Sequence, residues 1–530
     1  LIFSSFRQSL GSVDRRLPSC LIAGAVMACA TPPMNVYPLV WVGLIALFLL
    51  LDDGPLPARP PLRDMARGGL RGLLFGLGTN LVALRFVSTV VTRFAALPWY
   101  VGPLGLVVLA AFEGLRLAIA GIAFHWLVRA RVPPALSFAI GIYAGTFMPS
   151  MIPWTVACTV CPWPATVQHA ELVGERGVAF LMAFESALVA VGIQRLRRGE
   201  RERALRPMGI AAGMVAATLL YGALRIRQID AARAAAPRAS IAVVVAGVEA
   251  SERWEKARAK EILARLTGLT RLAEHEPTDL VIWPEAAYPY SVSHVSRHAP
   301  TGPNAIVQPG VRGPVLTGIV LTGSLGRYNS AVIATRDGMI SEPYDKMHLM
   351  WFGEMVPFED SIPWLRKAFA RGVGLRAGER QVRLDVPPVR LAVLNCLEDI
   401  LPDAGREAVE VAPNLLVNLT NDAWFAGTAE SAYHLLLSRL RSIELRRDLV
   451  RAVNYGPTTW IDAAGRIVAE MPGDAPGVLA THPALLERPS TLYARRGEWP
   501  LTVLLAALAF LTRRRVENAP VRVAATDSAT

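Results

Sequence analysis

The sequence predicts a polytopic membrane helix bundle joined to an α/β layered domain. Three observations predict it. Apolar residues fill 52% of 530 positions and mean hydropathy is +0.35, more than a soluble chain of this size usually carries. The excess gathers before residue 225 and again at 499–512, as in a membrane protein with one large extramembrane domain. Between these regions, continuous apolar runs of strand length alternate with helical patterns, the mark of covered sheets. The length allows two or three domains. The boundaries read as a bundle at 1–225, an outer domain at 226–498, and a last span with a basic tail at 499–530.

Apolar segments fall at 17–31, 35–51, 69–91, 99–127, 134–152, 175–194, 207–224 and 499–512. Most approach the ~20 residues that a helix needs to cross hydrocarbon; the first and last are shorter. A signal peptide is the rival reading of 17–31. No small-residue cleavage site leads into a polar start there, and another span follows at once, so a retained anchor is expected. The loops at 52–68, 128–133 and 195–206 are rich in Arg, as is the tail at Arg513, Arg514 and Arg515. The alternate loops are nearly bare of Lys and Arg. Positive loops stay inside. This predicts eight spans, both termini in the cytoplasm and residues 225–498 outside, with Arg225, Arg227 and Arg233 running against the rule. The net charge of +12 therefore reads as topology and attraction to anionic headgroups rather than nucleic-acid binding.

Arg85, Glu113, Arg116 and His125 lie inside the apolar segments, where charge is costly. Glu113 and Arg116 are three apart and can pair on one helix face. They read either as a polar lining for a lipid headgroup or acceptor peptide, or as a clamp between helices, which is the commoner use. Cys158 and Cys161 form "CTVC" in a loop without βαβ context, so a structural disulfide or two free thiols is expected rather than redox work.

In the outer domain, "SIAVVVAGVE" (240–249) is a buried strand, 251–275 a helix, and "DLVIWPE" (279–285) a second strand. Further strands are expected near 314–323, 329–336, 388–396, 413–420 and 458–462. The run at 429–449 has the three- and four-residue periodicity of a helix. Working groups in such sheets gather at the carboxyl ends of strands. One strand ends in Glu285, one in Cys396 and one in Asn421 and Asp422. Between the first two lies a loop-like stretch, "YDKMHLMWFGEMVPFE" (344–359), with Lys346, His348 and Glu354.

Cys396 is the sole cysteine after residue 161, and a protein facing an oxidising compartment rarely keeps an idle thiol. A cysteine attacks as thiolate and needs a base, which Glu285 can supply once burial lifts its pKa. Lys346 and the backbone after Cys396 can stabilise an oxyanion. Together they suit acyl transfer through a thioester. Taken singly, each has an ordinary reading: a solvated carboxylate, a surface ammonium and a small buried hydrophobe.

The order Glu285, Lys346, Cys396 resembles the Glu–Lys–Cys triad of the carbon–nitrogen hydrolase (nitrilase) superfamily, which implies an αββα sandwich. With the spans included, the chain resembles the apolipoprotein N-acyltransferase family. The strings that carry this are "WPEAA" (283–287), "YDKMHLMWFGEMVPFE", "NLTNDAWF" (418–425), "RLRSIELRRDLVRAVNYG" (439–456), "LYARRGEWP" (492–500) and "CPWPATVQHAELVGERGVAFL" (161–181). The resemblance implies Glu285 as general base, Lys346 as oxyanion stabiliser and Cys396 as nucleophile, with Glu354 holding Lys346 and Glu398 as a further supporting acid. Trp283, Trp351, Asn421 and Trp424, in these strings, are candidate substrate-binding residues. The implied reaction moves the sn-1 acyl chain of a phospholipid onto Cys396, then onto the α-amine of a diacylglyceryl-cysteine at a lipoprotein's N-terminus. No metal or cofactor is expected, and no nucleic acid. The expected partners are the phospholipid donor, the lipoprotein acceptor and membrane lipids. The expected state is a monomer in a bacterial inner membrane with the catalytic domain on the periplasmic side.

Three departures from the family pattern stand out: Leu397 where a Tyr is usual, an extra residue in "NDAWFAG", and "VLN" before the cysteine. The first bears on the acyl-chain pocket or the acceptor. Two rival functions use the same sequence: a membrane-tethered amidase with water as acceptor, and a non-catalytic lipoprotein-binding scaffold. "SIPWLRKAFA" (361–370) and "MWF" (350–352) read either as lipid-facing aromatic segments or as ordinary packing.

Overall fold

The computed structural model describes residues 14–54, 61–94, 98–356, 361, 374–487 and 491–517. The segment 361–370, read as either lipid-facing or ordinary packing, falls, apart from Ser361, outside these described residues.

Helices α1 (Leu17–Ala28), α2 (Leu39–Leu51), α3 (Pro61–Ala83), α4 (Phe86–Phe94), α5 (Val101–Arg129), α6 (Pro134–Gly145), α7 (Ala170–Arg197) and α8 (Arg201–Ala235) build the first half. Among the described residues, α5, α7 and α8 are each long and apolar enough to cross a bilayer, and α3 with α4 reaches that length as a pair bent by 62°. Helices α1, α2 and α6 are shorter apolar helices. The segments expected at 35–51 and 134–152 are thus shorter than anticipated. In the second case the reason is visible. The chain after α6 leaves the helix because Glu113 of α5 collects the Ser150 hydroxyl at 2.7 Å and the Met151 and Ile152 N–H groups at 2.9 and 3.3 Å. Arg116, 3.9 Å from Glu113, donates to the Trp154 carbonyl at 2.8 Å. The pair clamps helix to loop, and both residues also line a pocket between the helices. Irregular backbone survives at such a place because protein groups satisfy it.

Close packing holds α3 to α5. A Cβ on Gly72 would lie 2.0 Å from the Leu117 carbonyl oxygen, and one on Gly121 would lie 2.1 Å from that of Gly68. Small residues at four-residue spacing let two helix backbones approach this far. Helix α7 is broken at Gly174 (φ 68°, ψ 176°), a conformation that disfavours any side chain. A Cβ there would also strike the Tyr493 ring at 2.3 Å. Helix α8 continues well past the expected end of its span. Its Arg225 pairs with Glu171 at 2.5 Å, and its Arg233 pairs with Asp448 at 3.0 Å and Asp462 at 3.4 Å. Arg225 and Arg233 are thus committed to ion pairs within the protein, while Arg227 is exposed.

The second half is a sandwich. Strands β1 (Ile241–Val245), β2 (Leu280–Ile282), β3 (Ser291–Ser293), β4 (Val315–Gly323), β5 (Gly326–Ala334), β6 (Tyr344–Asp345) and β7 (Leu375–Arg376) join β14 (Gly477–Thr481) in one sheet, in the order β14-β1-β2-β4-β5-β6, with β3 on β4 and β7 on β5. The other sheet contains β8 (Arg383–Val386), β9 (Val389–Asn395), β10 (Leu415–Asn421), β11 (Leu449–Asn454), β12 (Thr458–Ile461) and β13 (Ile467–Met471), ordered 13-12-11-10-9-8. Their inner faces share a core that includes Val243, Ile282, Leu316, Val393, Val417 and Ala452. Helix α9 (Ala259–Ala273) covers the first sheet through Ile262, Leu263 and Leu266. Helices α10 (Pro402–Glu410) and α11 (Glu430–Leu445) cover the second through Ala404, Ala408, Leu435 and Leu445. This is an αββα sandwich. The chain closes through α12 (Leu492–Arg496) into α13 (Trp499–Glu517).

Helix α11 differs from the amphipathic helix its periodicity suggests. All of its residues but Ala432 are buried. One side meets the sheet, while Tyr433, Leu436, Leu437, Leu440 and Ile443 join the core of the helical half. A helix hydrophobic on both sides is an internal wall. It ends at Arg446 in the left-handed region, short of the expected 449, and Leu449 opens β11, a strand the sequence reading did not include.

Candidate active site

Strands β9, β10 and β11 run parallel, as do β1, β2 and β4. Groups at their carboxyl ends therefore meet at one end of the sandwich. Glu285 follows β2, beyond Pro284, which cannot extend the ladder. Lys346 follows β6. Cys396 follows β9 at the start of a tight 3₁₀ turn, 396–400, with φ +53°. A non-glycine residue in this region is strained, and here the bend carries Cys396 off the strand end.

Lys346 is buried, with its ammonium 2.7 Å from Glu354 Oε2 and 3.6 Å from Glu285 Oε1. Asn329 on β5 donates to both acids, at 2.7 Å to Glu285 and 2.9 Å to Glu354. Asn395 donates to Asn329 at 3.2 Å. The Asn421 N–H donates to Glu285 Oε2 at 3.0 Å, and the Met350 N–H to Glu354 Oε2 at 2.9 Å. Glu398 accepts from the Tyr344 hydroxyl and from the N–H groups of Asn395, Met347 and His348. It ties the cysteine's turn to the lysine's loop. Asn418 completes the brace by donating to the carbonyls of Leu394 and Cys396, both at 3.0 Å.

The charges follow from this geometry. Burial pushes the Glu285 carboxyl up; Lys346 opposes the push and the Glu354 carboxylate adds to it. Burial works on Glu354 in the same sense, but the closer ammonium outweighs it and holds Glu354 below the usual carboxylate range. Burial would lower Lys346, yet Glu354, Cys396 and Glu285 together raise it above an ordinary ammonium. Burial, then the Glu285 carboxylate, push the Cys396 thiol well up, with Lys346 pulling the other way. The arrangement at rest is a protonated thiol near a carboxylate with raised proton affinity and a permanently charged ammonium. Such a set can pass a proton from sulfur to Glu285 and meet negative charge at an attacked carbonyl. A small cleft opens beside Glu285, lined in part by Arg253, Asn421 and Asn454. Leu397 and Phe425 pack against the core of the helical half, and the Phe86 ring of α4 meets Phe425 edge-on at 6.2 Å.

The structure thus brings Glu285, Lys346, Cys396, Glu354, Glu398 and Asn421 together. The tryptophans fare differently. Trp283 is wholly buried in the core between the first sheet and α9, with its indole N–H donating to Thr270 at 2.9 Å. It stands at the end of β2 and packs toward the covering helix. Trp351 is exposed on the rim of the Glu354 loop. Trp424 is half-buried in a short turn after Asn421. Cys158 and Cys161 are free, buried thiols. Sequence reasoning missed Asn329, Asn395 and Asn418. Asn395 and Asn418 did carry a signal, an amide in a mainly apolar strand, since a buried amide must find partners; Asn329, beside Arg327 and Ser330, carried none.

The apolipoprotein N-acyltransferase N-terminal domain family matches residues 23–188, and the carbon-nitrogen hydrolase family matches residues 240–484. Curated relatives called apolipoprotein N-acyltransferase align over nearly the full length. One from Geobacter metallireducens is 28% identical over 93% of this chain and 95% of its own, and one from Bradyrhizobium diazoefficiens is 28% identical over 95% of each. One from Azotobacter vinelandii is 29% identical over 94% of this chain and 96% of its own. Among solved structures, an amidase from Nesterenkonia sp. overlays 51% of this chain and 97% of its own at 18% identity, with a TM-score of 0.37.

Proposed function

We propose that this chain, which belongs to the apolipoprotein N-acyltransferase family, N-acylates lipoproteins with Cys396 as its acyl carrier. The observation that carries the reading is the junction of the sandwich with the helical half: the turn bearing the thiol lies against the bundle through Leu397 and Ile400, and the neighbouring turn after β10 does so through Phe425. A lipid donor reaches such a site from the bilayer, which a small soluble amide has no need to do. The apolar helices suit a bacterial membrane protein. On this reading they cross the bilayer several times, the sandwich faces the periplasm, and the chain works as a monomer.

The reaction has two steps. Glu285 takes the Cys396 proton, and the thiolate attacks the sn-1 ester carbonyl of a phospholipid. Lys346 and backbone N–H groups of the cysteine's turn meet the oxyanion. The C–O bond breaks, the glycerol oxygen takes the proton from Glu285, and a lysophospholipid leaves a thioester on sulfur. The α-amine of a diacylglyceryl-cysteine then attacks the thioester. Glu285 takes the amine's proton and returns it to the departing sulfur, and an amide leaves. Glu354 holds Lys346 throughout.

Intact mass after incubation with phospholipid tests this. An acyl adduct on Cys396, cleared quickly by a diacylated lipopeptide and slowly by water, is the expected outcome. Clearance by water alone makes the protein a hydrolase, and no adduct at all makes it a binding scaffold. Cys396→Ala is the control.

A further inference from the structure

Behind the turn that carries the thiol lies a second buried cluster that the reaction above does not use. It comprises Asp399 in the turn, Asp422 after β10, Glu430 and His434 on α11, and Arg451 on β11, all buried. His434 Nε2 lies 2.8 Å from Asp399 Oδ1, and its Nδ1 lies 3.5 Å from Asp422 Oδ1, a charge contact at the edge of hydrogen bonding. Arg451 Nε donates to Asp399 Oδ2 at 2.9 Å. Burial would lower the His434 pKa, but Asp399 and then Asp422 raise it to about 10, so both ring nitrogens carry hydrogen at neutral pH. Burial and the Asp422 carboxylate push Glu430 up to about 8, leaving it mostly protonated. The cations His434 and Arg451 then face the carboxylates Asp399 and Asp422, and the cluster is balanced by its own side chains. Donor atoms of Asp422, Glu430 and His434 lie within 4.8 Å of one another. A metal there would have to displace the imidazolium protons beside the Arg451 guanidinium.

We propose that His434 is a positioning residue that ties the turn presenting Cys396 to the strand end seating Glu285. Asp399 stands three residues after the thiol in one rigid turn. Asp422 follows Asn421, whose N–H holds Glu285 Oε2 at 3.0 Å. The imidazolium reaches both aspartates from α11, a third element. It therefore sets the separation of nucleophile and base, where a shift of about 1 Å can cost about a hundredfold in rate. It also offsets the Asp422 carboxylate, which acts on the thiol. The assignment rests on Cys396 being the nucleophile.

The test uses the full-length protein in detergent. The rate of Cys396 alkylation by iodoacetamide is followed against pH by peptide mass, with Cys396→Ala setting the background. His434→Gln leaves Asp422 uncompensated. The profile is expected to move up by about one pH unit, making alkylation about tenfold slower below it. Asp422→Asn removes the opposing charge and is expected to move the profile down. Folding is checked by a cooperative melt, and if H434Q does not fold, D422N alone decides. Profiles that stay in place in folded variants, or that move the same way in both, overturn the proposal. So does acyl transfer by the wild type that falls with EDTA and returns with a divalent cation. A wild type that alkylates as expected but transfers no acyl chain would count against the proposed reaction and leave the positioning role standing.

Discussion

Two buried ionic clusters in this molecule set glutamates against cations for different ends. At the junction of α7 and α11, Glu171 accepts from the Tyr221 hydroxyl at 2.6 Å and from the guanidinium groups of Arg225 at 2.5 and 2.8 Å and Arg446 at 2.8 Å. Next to it, Arg441 contacts Glu175 at 2.6 Å and Glu444 at 2.8 Å. Around Lys346, by contrast, one ammonium serves two acids unequally. Glu354 has it at 2.7 Å, while Glu285, at 3.6 Å, takes its close hydrogen bonds from an amide and a backbone N–H. Glu171, ringed by guanidinium groups, stays ionised and rigid. An acid with mainly neutral donors keeps an affinity for protons. The first arrangement bolts the two halves together, and the second is suited to moving a proton.

Substitutions can break this contrast in graded ways. The largest effect is expected for Cys396→Ala, which removes the acyl carrier: transfer and adduct should fall by at least about three orders of magnitude. Glu285→Gln keeps the shape and removes the proton acceptor, and transfer should fall about 10²–10⁴-fold. Its pH profile sharpens the point. Glu285 must be ionised to act, so wild-type activity should fade as pH drops through a value above the ordinary carboxylate range, and that limb should vanish in E285Q. Glu354→Gln releases Lys346 and should lower kcat more than it raises KM, by about one to two orders of magnitude. At the bolt, Glu171→Gln should leave Cys396 alkylation per folded molecule unchanged. It should instead lower Tm, as expected for the roughly 3–5 kcal/mol lost when one partner leaves a buried ion network. The smallest effect is expected for Trp283→Phe, which loses the bond to Thr270. A cost of about 1 kcal/mol in stability, with acyl transfer per folded molecule unaltered, would separate a packing role from substrate binding.

Much of the site was legible because chemistry at strand ends leaves local marks. The Pro in "WPE" stops β2 just before Glu285, and an apolar run stops at Cys396. The supporting amides were less legible. Asn329 looks like any polar residue in a strand until β6, β9 and the Glu354 loop are placed around it. Trp283 shows the opposite failure. It stands two residues from Glu285, yet packs toward α9 while Glu285 meets Lys346 and Asn329. The run at 429–449 carried a helical period but no sign that both its faces would be covered. Arg225 and Arg233 looked like misplaced topology charges because their partners, Glu171, Asp448 and Asp462, are distant in sequence.

The amino-acid order by itself determined where apolar surface must leave water, where strands and helices begin, and which reactive groups stand at strand ends. These are short-range consequences of hydrophobic periodicity and backbone chemistry. Tertiary structure alone decided how one lysine divides its charge between two glutamates, which acid keeps a proton, and that α11 would be shared by sandwich and bundle. Burial and electrostatic pairing depend on distances of a few ångströms between segments far apart in the chain, and no local pattern encodes those distances.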